Sequence, residues 1–146
     1  MSATPEQQLA ERVVSAMMAK DPFSQWLGIE VTSVRPNAVT IRMMVRREMV
    51  NGFGVCHGGV AFSLADSALA FASNTHGNVT VSIENSITYP KAIAVGDTLT
   101  ATAEQESSTN RLGFYRVTVH RGEDDIVALF RGTVYKTNKL YLTESE

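Results

Sequence analysis

The amino-acid sequence predicts an α+β domain in which an antiparallel sheet of about six strands packs on one central helix, with a further helix at the N-terminus. Apolar and polar residues alternate with a period of two along much of the chain after Gly28, which is typical of strands. One alanine-rich segment, residues 59–73, interrupts this alternation. The 146 residues, 44% hydrophobic and 19% charged, suit a single globular domain over residues 1–146.

The N-terminal helix has recognisable start and end signals. Thr4, Pro5 and Gln7 have the form of a capping box with proline at the first helical position. The helix should end before Asp21–Pro22, because proline disfavours helical geometry in the residue that precedes it. Between these points the apolar residues of one face recur at spacings of four: Leu9, Val13 and Met17.

Six segments read as strands. The first begins at Ile29, and the others cover residues 39–45, 79–89, 99–104, 114–119 and 126–135. In the third segment the odd-numbered residues from Val79 to Tyr89 are predicted to share one face, and Pro90 ends the run. The helix over 59–73 lies between the second and third strands. Its apolar residues surround most of the axis, which predicts a buried helix.

Charge and composition exclude several classes of function. A formal net charge of −2 argues against a strongly basic nucleic-acid-binding surface, and no segment approaches the ~20 apolar residues of a membrane span. The N-terminus lacks the basic and apolar regions of a signal peptide, so we expect a cytoplasmic protein. The single cysteine, Cys56, excludes an intrachain disulfide and is predicted to be a buried free thiol. The three histidines have no ligand spacing, so no metal site is predicted: His57, His76 and His120.

Asp66 is the only Asp, Glu, Lys or Arg between Met49 and Ile83. The residues on its side of the predicted helix are small: Ser63, Ser67, Ala70 and Asn74. This stripe either faces water, or Asp66 makes a structural hydrogen bond, or the carboxylate sits in a confined pocket where burial raises its pKa. The absence of long charged side chains from the stripe favours the pocket.

A glycine-rich segment, residues 51–59, leads into the central helix. It lacks the Gly-Lys-Ser/Thr of a P-loop and the glycine spacing of a dinucleotide-binding fingerprint. Gly58 and Gly59 open the helix, where free backbone N–H groups suit a developing oxyanion; the alternative is a simple tight turn. Asn51 and His57 are candidates to orient a water, a substrate carbonyl or the aspartate, against a purely structural role in the turn.

Helix geometry separates the two chemical groups. Gly58 and Asp66 are eight residues apart, which places them about 12 Å apart on one helix. A reacting atom must lie about 3 Å from both the oxyanion donor and the nucleophile or base. We therefore predict a homodimer with antiparallel central helices, in which each subunit lends its glycine turn to the aspartate of the other.

The run from Asn51 to Asp66, with the pattern Asn-Gly-x-x-x-Cys-His-Gly-Gly-x-x-Phe-Ser-Leu-Ala-Asp, resembles the hotdog-fold acyl-CoA thioesterases. Within them it is most similar to the group that acts in phenylacetic acid degradation. Residues 96–103 and 127–132 resemble the same family, and the likeness covers roughly residues 20–135. The chain departs from the family pattern at Phe53–Val55 and over residues 135–146.

The resemblance implies a hotdog fold, dimers that assemble into a homotetramer, and no external cofactor. It implies a CoA thioester substrate, in particular an aryl-acetyl-CoA such as ring-hydroxylated phenylacetyl-CoA, hydrolysed to the free acid and CoA. Asp66 would be the nucleophile or the general base, and the Gly58 N–H would polarise the thioester carbonyl. His57 and Asn51 would line the site, and two substrate-binding positions complete it: Ser67 and Gly59.

Two other functions compete with this one. A hotdog dehydratase or hydratase would use a carboxylate and a histidine on adjacent carbons of an acyl chain. A non-catalytic acyl-CoA-binding module would bind the ester without turnover, but it leaves Asp66 unexplained. A structural scaffold is a third and weaker reading.

Overall fold

The structure is a computed structural model that describes residues 3–143, so the extreme ends of the expected 1–146 domain lie outside the described residues. It contains three α-helices, one short 3₁₀ turn and six strands within that range. In chain order the elements are α1 Pro5–Ala19, α2 Pro22–Leu27, β1 Glu30–Arg35, β2 Ala38–Met44, the 3₁₀ turn Arg47–Met49, α3 Gly58–Ser73, β3 Asn78–Thr88, β4 Thr98–Ser108, β5 Leu112–Arg121 and β6 Asp125–Leu140.

The six strands form one antiparallel sheet in the order β1-β2-β4-β5-β6-β3, with α3 packed across it. This confirms the predicted α+β architecture of a sheet around one central helix. Side chains from α3 and from the inner face of the sheet form the core, and all are almost fully buried: Leu64, Leu69, Phe71, Ile41, Val117 and Phe130. Burial on most sides explains why α3 is apolar around most of its axis.

The N-terminal helix α1 ends at Ala19, before Asp21–Pro22 as predicted. The Thr4 hydroxyl accepts a hydrogen bond from the Gln7 N–H at 3.1 Å, which is one half of the predicted capping box. The other half is replaced, because the Gln7 side-chain amide donates to the Val34 carbonyl at 2.7 Å. That bond ties α1 to the edge strand β1.

The short helix α2 was absent from the sequence prediction. Asp21 caps its N-terminus through a 2.9 Å bond from the Ser24 N–H, and Gly28 ends it with φ +79°. Both signals are present in the sequence: proline at the first helical position and glycine just after the last turn. Six residues are too few to show a helical period, so the hydrophobic pattern does not predict this helix.

A β-bulge between Ser82 and Glu84 contradicts the prediction of one shared face along β3. The extra residue reverses the alternation, since side chains on a strand point to opposite faces in turn. Thr80 is buried before the bulge, and Asn85 and Ile87 turn inward after it. Val81 and Ile83 are left 49% and 58% exposed on the edge strand.

No helix within residues 3–143 combines the length and the hydropathy needed to cross a membrane. The cytoplasmic location stays a prediction.

Candidate active site

The loop that leads into α3 is closed by a bridge between Val50 and Cys56. Just after the bridge, the side-chain oxygen of Asn51 accepts hydrogen bonds from the backbone N–H groups of Phe53, at 2.9 Å, and Val55, at 3.4 Å. Asparagine commonly shapes turns in this way. The Asn51 oxygen therefore holds the loop, while Phe53 projects from the tip with 92% of its surface exposed.

His57 is the N-cap residue of α3. Its Nδ1 accepts a hydrogen bond from the Gly59 N–H at 3.0 Å. A neutral imidazole that accepts at Nδ1 carries its proton on Nε2. The Gly59 amide is occupied by this bond, so only one of the two glycines that open the helix offers a free donor.

That donor is the Gly58 N–H, which has no acceptor among residues 3–143. It lies at the positive end of the α3 dipole, where negative charge is stabilised. On the other side of the residue, the Tyr89 hydroxyl donates to the Gly58 carbonyl at 2.8 Å. A Cβ on Gly58 would lie 3.1 Å from both Cζ and Oη of Tyr89, so a side chain at this position would have to push the ring away from the helix.

A surface cavity of about 310 Å³ opens beside this donor. It is formed by the end of the loop, the first turn of α3 and the segment that follows β3. Its lining residues are Val55, Cys56, His57, Gly58, Ala61 and Tyr89–Ile93. Asp66 is not among them.

Asp66 lies two turns further along α3 and is half-buried. Burial raises the pKa of its carboxyl, and the negative charge of Asp21 raises it further. A hydrogen bond from the Asn85 side-chain amide, 3.3 Å from Oδ1, acts in the opposite direction. Asp66 is thus a half-buried carboxyl that makes one hydrogen bond, and its raised pKa has the direction that the pocket interpretation predicts.

Ser67 is 7% exposed and lies against α2. Its hydroxyl is 2.8 Å from that of Ser24, and Ser24 in turn donates to the Asp21 carboxylate at 2.6 Å. Since the Ser24 proton goes to Asp21, Ser67 is the donor to Ser24. This bond links α3 to α2 rather than facing the cavity beside Gly58.

The exposed stripe of α3 differs from the predicted one. Ser67 and Asn74 are buried, and Asn74 joins the end of α3 to β3 by exchanging hydrogen bonds with the Thr80 backbone. Among the exposed and half-buried residues of α3, a stripe at helical spacing has small side chains around the aspartate: Gly59, Ser63, Asp66 and Ala70. Val60 and Phe62 are half-buried as well, and both pack against the core.

The buried thiol of Cys56 has a pKa raised to about 11, chiefly by burial and secondarily by the charge of Asp97. It is therefore protonated at neutral pH and unsuited to nucleophilic attack, as the prediction of a buried free thiol requires. Within the described range, no three His, Cys, Asp or Glu side chains converge into a group that could hold a metal ion.

Sequence reasoning missed two residues that touch the candidate groups, Asn85 and Tyr89. Asn85 interrupts a run of apolar residues at alternate positions of its strand, and this was the available signal. Tyr89 precedes Pro90 and gave no signal of its own, because its contact with Gly58 joins positions 31 residues apart.

Known proteins are similar to this chain in both fold and sequence. The thioesterase superfamily model matches residues 53–128. Acyl-coenzyme A thioesterase PaaI of Escherichia coli is 36% identical over 121 residues, covering 83% of this chain and 86% of the relative. The structure of E. coli PaaI, from the phenylacetic acid degradation operon, has a TM-score of 0.89 at 34% identity, covering 92% of this chain and 97% of that one. A Streptococcus mutans protein bound to acetyl-CoA has a TM-score of 0.73 at 27% identity, covering 77% and 90% of the two chains.

The fold and site define a hotdog-fold thioesterase. The chain belongs to the thioesterase superfamily and is an acyl-CoA thioesterase, a hydrolase of CoA thioesters. The resemblance to the phenylacetic acid degradation group, first seen in the run from Asn51 to Asp66, is confirmed by the similarity to PaaI.

Proposed function

We propose that this enzyme hydrolyses aryl-acetyl-CoA thioesters, with ring-hydroxylated phenylacetyl-CoA as the preferred substrate, in the cytoplasm and as a step of phenylacetate breakdown. The similarity to PaaI, a protein from the phenylacetic acid degradation operon of E. coli, supports this substrate class. The placement of Gly58 and Asp66 on one helix, with Asp66 outside the cavity beside Gly58, is the observation that carries the proposed mechanism.

Asp66 acts on the carbonyl carbon of the thioester in one of two ways. As a nucleophile, its carboxylate forms a bond to that carbon, the C–S bond breaks to release the CoA thiolate, and water cleaves the resulting anhydride. As a general base, it takes a proton from water while the water oxygen attacks the same carbon, and that proton passes to the departing thiolate. The products in both cases are the free acid and CoA.

Either route places negative charge on the carbonyl oxygen. The Gly58 N–H is free to donate to that oxygen, and the α3 dipole adds to the stabilisation. His57 keeps the glycine turn in place through Gly59 and offers Nε2–H toward the substrate. Asn51 holds the loop at the same end, and the missing side chain of Gly59 leaves room for the ligand. Ser67 supports the substrate site through its bond to α2.

Two subunits complete each site. The edge strand β3 has β6 as its neighbour on one side only, and it carries the half-exposed Val81 and Ile83. Pairing with a second β3 in the antiparallel sense would satisfy this edge and bring two α3 helices side by side. The small stripe of Gly59, Ser63, Asp66 and Ala70 permits their close approach. A two-fold axis near Phe62, midway between Gly58 and Asp66, then sets each aspartate against the free amide of the partner.

The homotetramer is a further part of this proposal. Apolar side chains are exposed on β2 and along β6, where a second dimer can cover them: Met44, Ile126, Leu129 and Tyr135. Three of these side chains lie on the same strand, β6, and exposed apolar surface of this kind favours association.

Thiol release from a panel of CoA esters tests the proposed substrate. The panel contains phenylacetyl, hydroxyphenylacetyl, benzoyl and straight-chain esters, and the hydroxyphenylacetyl ester should have the highest kcat/KM. Asp66→Asn should lower kcat at least about 100-fold with substrate binding retained. The matched control is Asp124→Asn, since Asp124 is exposed in the turn before β6 and does not line the cavity beside Gly58.

Other outcomes point to the competing functions. A preference for straight-chain esters would overturn the aryl-acetyl assignment. Hydration of an unsaturated acyl-CoA without thiol release would indicate the hydratase, and tight ester binding without turnover would indicate the binding module.

A further inference from the structure

Asn85 lies on the edge strand β3, and its side chain contacts α3. Its Nδ2 donates to Asp66 Oδ1 at 3.3 Å and approaches Ser82 Oγ at 3.4 Å. Asn85 thereby joins β3 to the one acidic side chain of α3. The bulge between Ser82 and Glu84 creates this contact, because it turns Asn85 from the outer to the inner side of the strand.

Gly132 on β6 provides the space that Asn85 occupies. The two residues are directly paired across the β3–β6 ladder. A Cβ on Gly132 would lie 2.8 Å from Asn85 Oδ1 and 2.4 Å from Cδ2 of the buried Leu69. A larger residue at position 132 would displace the Asn85 amide from Asp66. Glycine at this position of β6 therefore leaves the space that the Asn85 side chain needs.

The other end of the amide has no partner. Asn85 Oδ1 is buried without a hydrogen bond, and among residues 3–143 it is the one side-chain N or O atom in that condition. A buried acceptor without a donor destabilises a fold. A contribution to the stability of the fold therefore explains Asn85 poorly. Its hydrogen bond to Asp66 is the interaction that accounts for an asparagine at this position.

We propose that Asn85 is a positioning residue for Asp66: its amide orients the carboxylate and favours the ionised form that the reaction needs. The proposal rests on the proposed role of Asp66 in catalysis. Burial and the charge of Asp21 both oppose ionisation of Asp66, and Asn85 is the group that counteracts them. Asn85 touches Asp66 and not the substrate, so it acts through the carboxylate.

The titration of Asp66 tests this directly in the full-length protein. The carboxyl carbon of Asp66 is followed by NMR against pH, and its signal is assigned by its loss in Asp66→Asn. In Asn85→Leu, which keeps the side-chain size and removes the donor, we expect the Asp66 pKa to rise. The matched control is Asn78→Leu on the same strand, where the lost bond goes to the Thr137 carbonyl and the Asp66 pKa should not move.

Two further measurements accompany the titration. In Asn85→Leu, kcat/KM at acidic pH should fall about tenfold with KM little changed, a size typical of one hydrogen bond to a charged group. Its melting temperature, measured at low pH where Asp66 is protonated, should be equal to or above that of the natural protein, since the unpartnered oxygen is gone. If Asn85→Leu does not fold, Asn85→Val provides the same titration with a residue suited to strands.

The outcomes separate this proposal from the proposed function. An unchanged Asp66 pKa in Asn85→Leu, or an equal rise in Asn78→Leu, would overturn the role of Asn85. An absence of thioester hydrolysis by the natural protein would instead overturn the proposed function, and the titration would still decide whether Asn85 controls Asp66.

Discussion

The Nδ1 atom of His57 accepts the Gly59 N–H at 3.0 Å, and this bond selects Gly58 as the free donor at the start of α3. The sequence places two adjacent glycines at the start of the helix, and the resemblance implies Gly58 as the oxyanion donor. The His57 cap uses one amide and leaves the other available, which is how an N-cap side chain ordinarily works. The same bond fixes the tautomer of His57 with its proton on Nε2.

Gly58→Ala should lower kcat about 100-fold, the usual loss when one oxyanion-hole donor is disturbed. A Cβ at this position lies 3.1 Å from the Tyr89 ring and must displace either the ring or the amide. Tyr89→Phe is the comparison, because it keeps the ring and removes only the bond to the Gly58 carbonyl. We expect Tyr89→Phe to lose less than about tenfold. Steady-state kinetics would contradict the assignment if Gly58→Ala retained the natural rate.

Co-expression of two inactive variants tests the shared site. Random assortment of Asp66→Asn and Gly58→Ala subunits makes about half of the dimers mixed, and each mixed dimer has one intact site and one doubly altered site. About a quarter of the natural activity should therefore return. If each site belonged to one subunit, the mixture would stay as inactive as its components, and thiol release distinguishes the two results.

The pH–rate profile should report the raised pKa of Asp66. The proposed mechanism requires the ionised carboxylate, so kcat/KM should fall as pH is lowered through a pKa above that of an ordinary aspartate. The profile is measured with the best ester of the panel over about pH 4 to pH 8. If kcat/KM instead fell at the pKa of an ordinary aspartate, burial would not control the pKa of the reacting carboxyl.

Asp66→Asn should be more stable than the natural protein at neutral pH. A raised pKa means that the folded state binds the Asp66 proton more tightly than the unfolded state does. The stability from that tighter binding is present at low pH and is lost as pH rises through the folded-state pKa. The asparagine variant avoids this loss, so its advantage in melting temperature should be clear near pH 7 and should shrink toward about pH 4. An advantage that grew at low pH would contradict the direction of the pKa shift.

Much of the fold follows from local patterns in the sequence. The period-two alternation predicted the six strands, and the alanine-rich run predicted α3, because each depends on neighbours only a few residues apart. The isolation of Asp66 among apolar residues and the two glycines at Gly58 and Gly59 were readable for the same reason. The limits of the strands were less accurate: β4 and β6 run to Ser108 and Leu140, where polar side chains gave no alternation.

The tertiary structure decided how these groups are used. Strand pairing introduced the bulge that turns Asn85 toward Asp66, and Gly132 on the neighbouring strand made room for it. Packing brought Tyr89 against Gly58 and Ser24 against Ser67, contacts that join positions 31 and 43 residues apart. The sequence by itself determined which residues could perform the chemistry, since residue type sets the available donors and acids. Only the tertiary structure determined which carboxylate is desolvated and which side chains contact Gly58 and Asp66, because burial and these hydrogen bonds depend on contacts between distant segments.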